Sequence, residues 1–335
     1  MNRYRFLIGA SLLGVLVLAG PARAAVPAGD SDWGFLGGAT QTEKFSKTVS
    51  LGKTGTVEVS NIAGNIVITG GAGDQVVIEA LKKGRTTDEL KLVTIEVSST
   101  AGRVEVRTRY PEGQHNISVS VDYAVTVPKG AAVSVKSISG DEKVTGVDGE
   151  MHAASISGEI TIASSADVRS LKSVSGDVAV SASGTGAELS VSTISGELTL
   201  TGVKAHELLA NTISGDQKLT DVTASRIGTK TISGEVTFSG PLAKGGRYEF
   251  QAHSGDIKLM ISDKVGFEVT ASTFSGDFNS DLPLTMKFGG GDTPEPGRGG
   301  RGRRPPNQTV RGTYGDGAAV LVLNSFSGDI KIIKK

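Results

Sequence analysis

Nine carboxylates recur in one local setting along the second half of this 335-residue chain: Asp141, Glu159, Asp177, Glu197, Asp216, Glu235, Asp256, Asp277 and Asp329. Each directly follows a glycine in a tetrapeptide of apolar residue, Ser, Gly and acid, such as Ile156-Ser157-Gly158-Glu159 or Ile213-Ser214-Gly215-Asp216. The glycines from Gly140 to Gly276 lie 18, 18, 20, 19, 19, 21 and 21 residues apart, and 52 residues separate Gly276 from Gly328. If each interval is one turn of a coil, the acids line one outer face about 4.8 Å apart. Unit charges at that distance repel by roughly 1 kcal/mol in water, so such a ladder would accept cations. Calcium, however, takes six to eight oxygens, and each rung offers one carboxylate and one serine hydroxyl. The calcium-binding nonapeptide G-G-x-G-x-D is also absent. The expectation is therefore a solvated face that resists strand addition, its charge partly offset by Lys143, Lys218, Lys258 and Lys331.

Other reactive residues are less organised. Arg298, Arg301, Arg303 and Arg304 cluster in a Gly/Pro/Arg-rich insertion at 289–307, which has no apolar residue and is expected to be disordered or extended. Guanidinium forks there would pair with phosphate or carboxylate groups of a polymer. The four histidines, His115, His152, His206 and His253, share no metal-ligand spacing, and the serines are a repeat feature, so none is marked as a nucleophile. No catalytic residue, metal ligand or cofactor site is expected.

The elements that position these residues follow from the columns of the repeat. Two and four residues after the glycine stand apolar residues, as in Ile160 with Ile162 and Leu198 with Leu200, separated by Thr or Lys. Seven and five residues before it stand a second pair, such as Leu189 with Val191 or Val133 with Val135. Both are period-two strand patterns. Carrying the first parity backwards places the glycine and the apolar residue before Ser, Ile213 for example, on the inner face. The glycine then lets the opposite wall approach closely, or lets the chain bend there. Two strands and two turns fill a rung, and stacked rungs form one all-β solenoid with a continuous core. The terminal Ile330-Lys331-Ile332-Ile333-Lys334-Lys335 reads as the lysine-protected edge of the last rung.

The domain boundaries follow. Arg3 and Arg5, an apolar run to Ala19 and Ala22-Arg23-Ala24 mark residues 1–24 as a cleavable signal peptide, with no cysteine for a lipid anchor. Residues 25–44 read as a flexible leader, 45–132 as an irregular β region or N-terminal cap, and 133–335 as the solenoid. Strands are expected near 57–60, 66–69, 76–80, 94–98, 104–108 and 118–127, with a helical turn at 86–92. Ile62-Ala63-Gly64-Asn65 is a degenerate copy of the motif. Removing Arg3, Arg5 and Arg23 leaves 32 basic residues against 35 acidic, which disfavours nucleic acid as partner. With no cysteine, an exported chain must rely on its core and backbone pairing.

With these motifs in hand, and with Tyr123-Ala124-Val125-Thr126-Val127-Pro128-Lys129-Gly130 and Gly317-Ala318-Ala319-Val320 leading into the first and last full repeats, residues 45–335 resemble the bacterial "putative adhesin" domain family of unknown function. The resemblance implies a β-helical, exported cell-envelope protein with an adhesive or structural role and no established reaction. The Arg-rich insertion and His253, in place of an aliphatic residue, depart from the pattern. The function expected is thus a non-catalytic, periplasmic or cell-surface solenoid, with cell-envelope polymers or surface proteins as partners and no membrane span in the mature chain. A binding module for anionic or glycan envelope polymers, in envelope stress sensing, is the alternative; a polysaccharide lyase or hydrolase is disfavoured, because the rungs are short and bear one insertion.

Overall fold

A computed structural model describes residues 40–113, 117–185, 187–262, 264–286 and 308–335. Residues 1–24, read as a signal peptide, residues 25–39, read as leader, His115 and the insertion with its four arginines lie outside the described residues. All that follows concerns the compact unit Ala39–Lys335.

Two long sheets, of 13 and 14 strands, face each other across the core. One is built from the longer strands that end at the motif serine, such as Glu150–Ser157 and Lys204–Ser214. The other is built from the short strands that begin just after the acid, such as Ile160–Ala163 and Gln217–Thr220. Successive rungs pair in parallel and nearly in register, so like positions stack: Val178 lies beside Leu198, and Leu189 beside Leu208. Both apolar pairs read from the sequence are inner columns, with Ile160, Ile162, Leu189 and Val191 fully buried. The expected strands before residue 132 belong to the same two sheets, because Thr56–Ala63 pairs with Ala132–Ser139 and Ile66–Gly71 with Glu142–Thr145. Residues 41–44, read as leader, begin the strand Gln41–Ser50. The helical turn is the helix Thr87–Leu92, where Thr86 Oγ1 accepts from the Glu89 N–H and Leu90 enters the core. No helix among the described residues is long and apolar enough to cross a membrane.

Three expectations are corrected. First, the apolar residue before Ser is not inside. Ile138, Ile156, Val174, Ile194, Ile213 and Ile232 are 43–50% exposed, and the inner position is the Ser or Thr just before each. Glycine at eight of the nine motifs has a positive φ, +140° at Gly158, and turns the chain through a corner, so the two residues preceding it both face outward and the alternation restarts beyond it. Second, the glycine answers the neighbouring rung and not the opposite wall. A Cβ on Gly158 would overlap the carbonyl oxygen of Gly140, and the same overlap repeats up the column. Third, the C-terminal rung is not the edge. Ala319–Ser327 lies between Arg247–Ser254 and Phe267–Ser275, and Ile330–Lys334 lies between Ile257–Ile261 and Phe278–Ser280. Ile330 and Ile332 fill inner positions there, whereas the strand Phe278–Ser280 buries no side chain fully and makes the poorer middle layer. Beyond it the chain doubles back as the antiparallel strand Gln308–Tyr314, which covers the edge of Phe267–Ser275.

Candidate surface groove and acidic column

The nine acids stand where the repeat predicts, in one outward column just past the corner. Their principal contacts are within the fold. Asp141 Oδ1 accepts the N–H of Glu159 at 3.0 Å, Asp177 that of Glu197 at 2.7 Å, and Asp216 that of Glu235 at 2.8 Å. Asp256 accepts from Asp329, and Asp329 from Asp277. The glutamates do something else: Glu159, Glu197 and Glu235 each accept from the threonine two residues on, Thr161, Thr199 and Thr237. Asp is short enough to reach the next rung's amide, while the longer Glu folds onto its own strand. Asn65 shows that charge is not required for the clamp, since its Oδ1 accepts the Asp141 N–H at 3.0 Å. The amide donor, seconded by Lys331, holds the Asp329 carboxyl below the usual carboxylate range. The aspartates Asp141, Asp177, Asp216, Asp256 and Asp329 are therefore rung-to-rung clamps, each with one oxygen already engaged.

Beside it runs a feature that the parity reading concealed. In stack order the outward residues before the motif serine are Ile62, Ile138, Ile156, Val174, Ile194, Ile213, Ile232, His253, Phe326 and Phe274. Phe326 stacks on His253 and on Phe274, with centroids 4.9 Å apart in both pairs. The stripe faces a second outward column, the residues two before it, among them Lys136, Lys172, Asn211 and Lys230, and at both ends of the stack a groove lies between the two columns. At the aromatic end the groove opens to about 700 Å³, lined by Ile232, His253, Phe274, Phe326, Lys230 and Asn324 among others. At the opposite end a smaller hollow of about 350 Å³ is lined by Ile62, Ile138, Tyr110, Arg107, Arg109 and Lys136 among others. No carboxylate lines either one. A signal for the groove did exist: the parity of the pair at seven and five residues before the glycine, carried forward, puts Ser or Thr inside and Ile outside.

The described histidines, His152, His206 and His253, are not brought together. His152 bonds Glu150 at 2.8 Å on one rung, His206 sits on the strand Lys204–Ser214, and His253 belongs to the stripe.

Residues 170–333 match the family model Toastrack DUF4097. That stretch is thus similar to Toastrack domains, a family of unknown function, and the reading of an all-β solenoid built from long parallel sheets is borne out. Among solved structures, a protein of Parabacteroides distasonis described as a putative adhesin is similar, at 10% identity and a TM-score of 0.45, over 88% of this chain and 97% of that one. Another so described, from Bacteroides fragilis, is similar at 13% identity and a TM-score of 0.43, over 87% of this chain and 97% of that one. Likeness at this level says nothing of what this protein binds. No curated protein matches it in sequence.

Proposed function

We propose that this protein is an exported, non-catalytic β-solenoid of the cell envelope that works through its long repetitive surface, as an adhesin-like or structural element. The observation that carries the reading is the repetition of outward columns over ten successive rungs, which offers one surface many times over instead of a single convergent site. The acids support it, because the aspartates are engaged in clamping rungs together and the glutamates in bonds along their own strands. A second reading, a binding module for anionic envelope polymers, is favoured by Lys136, Lys172 and Lys230, whose ammonium groups have no ion-pair partner among the described residues. The arginines Arg298, Arg301, Arg303 and Arg304, outside the described residues, would supply further cations for such a polymer.

The test is fractionation of cells expressing residues 1–335, with the N-terminus of the recovered protein sequenced. The expected protein is outside the cytoplasm and starts at Ala25; a cytoplasmic chain that keeps residues 1–24 overturns the reading of export. Incubation with isolated envelope polymers should give retention without new reducing or unsaturated sugar ends, and release of such ends would make the protein an enzyme.

A further inference from the structure

The final rung stands out of chain order, and the two rungs that trade places are built alike. Phe274-Ser275-Gly276-Asp277 and Phe326-Ser327-Gly328-Asp329 are the only copies of the motif that begin with Phe. In the observed stack Ala319–Ser327 pairs with Arg247–Ser254 on one side and with Phe267–Ser275 on the other, so Gln251, Asn324 and Ser272 stand in one row. The short strands do the same, with Ile257, Ile330 and Phe278 in one row. If the middle rung left, the two flanking rungs could close on each other in the register that each now keeps with it.

The contacts of the observed order are equally open to chain order. Asp256 accepts the Asp329 N–H and Asp329 accepts the Asp277 N–H, and because both donors are aspartates the reverse order rebuilds two such clamps. A Cβ on Gly328 would overlap the Gly255 carbonyl and one on Gly276 the Gly328 carbonyl, and either rung supplies a glycine for the close approach. Phe326 stacks between His253 and Phe274, so trading the two phenylalanines keeps the column of rings. The connections fit as well. Tyr314 and Ala319 both pair with Phe267, from opposite edges, so the residues between them pass over the end of Phe267–Ser275, where Asp316 Oδ1 accepts the Gly266 N–H at 3.1 Å. In chain order the same residues, Gly315 to Ala318, would join Gln308–Tyr314 to Ala319–Ser327 as a hairpin of ordinary loop length. From Ile261 to Phe267 the chain reaches roughly 20 Å, enough to climb one rung or two.

We infer that the C-terminal end of the solenoid is a two-state element in which the last two rungs exchange places. Two features favour the observed order. It buries Ile332 in the layer where Ser280 would otherwise stand and leaves Ser280 half-buried at the edge. It also fastens Lys335, whose N–H donates to the Ile261 carbonyl and whose ammonium meets Asp221 at 2.9 Å. Both are local, so the two orders differ by little, as a bistable packing requires. In the observed order the sheet of short strands ends on Phe278–Ser280, which carries no charge; in chain order it would end on Ile330–Lys334, with Lys331 and Lys334. The exchange therefore changes the strand that this edge offers to a neighbouring chain.

The chain has no cysteine, so an introduced pair reports one contact. In the full chain, Gln251→Cys with Asn324→Cys places two thiols one rung apart in the observed order. Gln251→Cys with Ser272→Cys places them two rungs apart, roughly 10 Å, beyond the reach of a disulfide unless the rungs have exchanged. Under mild oxidation in native buffer both pairs should lock within one molecule. The second should lock roughly ten- to a thousandfold more slowly, as suits a minor order populated at roughly 0.1–10%. Trading the inner residues, Ser280→Ile with Ile332→Ser, should reverse the ratio of the two rates while circular dichroism keeps the strand signal. The inference is overturned if the pair at 251 and 272 never locks while the pair at 251 and 324 does, or if it locks only in urea that abolishes the strand signal. A locked product that is a dimer would assign the contact to a second copy and overturn it, as would locking rates that the Ser280 and Ile332 changes leave unaltered.

Discussion

Replacing Glu142 by Gln should stabilise the protein by an amount that depends on pH. Glu142 occupies the inner column two residues after the glycine, between Ile66 and Ile160, and is 1% exposed. Neither carboxyl oxygen has a hydrogen-bond partner among the described residues. Burial pushes its pKa up to about 8, against a weaker opposing influence of the Ser137 backbone. The folded state therefore holds a proton that the unfolded chain releases near its ordinary value of 4.5. Below that value both states are protonated and the glutamic acid carries no ionisation penalty. As pH rises from about 4.5 towards 8 the unfolded chain ionises first and stability is lost progressively; above 8 the loss levels off. At about 1.4 kcal/mol per unit, the full gap corresponds to an upper bound of roughly 4–5 kcal/mol, and to about 3 kcal/mol near pH 7. Gln removes the titration, and the same column already accommodates Gln217, whose Nε2 donates to the Lys230 carbonyl at 2.8 Å. Urea unfolding followed by circular dichroism at pH 4, 6, 7.5 and 9 should show parent and Glu142→Gln nearly alike at pH 4, and the variant ahead by a margin that grows to pH 8 and then holds. A margin independent of pH, or a variant less stable at pH 9, would refute the placement of a neutral acid in the core.

Three further outcomes are expected. Ile213→Asp should change stability by less than about 0.5 kcal/mol because the site is outward, whereas Val191→Asp should cost several kcal/mol by burying an unpaired charge, both read from urea midpoints. Neutralising Asp177, Glu197 and Asp216 to Asn, Gln and Asn should leave the melting temperature nearly unchanged, since Asn keeps the acceptor for the next rung's amide. Asp177→Ala with Asp216→Ala should cost about 1 kcal/mol per lost bond, and millimolar calcium should shift none of these forms; a rise of several degrees with calcium in the parent alone would make the column an ion site. Ala182, at φ +44° where the adjacent rung has Gly202 at φ +64°, should gain up to about 1 kcal/mol on replacement by Gly, measured by thermal unfolding.

The period of the coil, the two strands of each rung and four of their inner positions were legible because each is a local alternation, and identical rungs repeat it until the columns stand out. The strands before residue 132 could be read in the same way, as could the helical turn from the capping Thr86. The acidic column was legible as a column but not as a clamp, because which atom an Asp reaches on the next rung depends on stacking register. The groove was lost at the corner. Two parities meet at Ser-Gly and disagree, and hydrophobicity alone chose Ile over Ser for the interior; in the folded chain the inner Thr193 instead donates to the Gly176 carbonyl of the rung before it.

The order of the last rungs separates the two kinds of information most plainly. The amino-acid sequence by itself determined that there are rungs, how long each is, and which residues within a strand share a face, since those depend on contacts a few residues apart and on the steric freedom of glycine. Only the tertiary structure decided that the final rung slides between its two predecessors and that isoleucines of successive rungs form one exposed stripe. Both depend on which distant segments stack on which, and rungs so alike in sequence carry no local mark of their neighbours; in the folded chain Ile330 and Ile332 are buried in the inserted layer, and the strand Phe278–Ser280 stands at the edge with its side chains partly exposed.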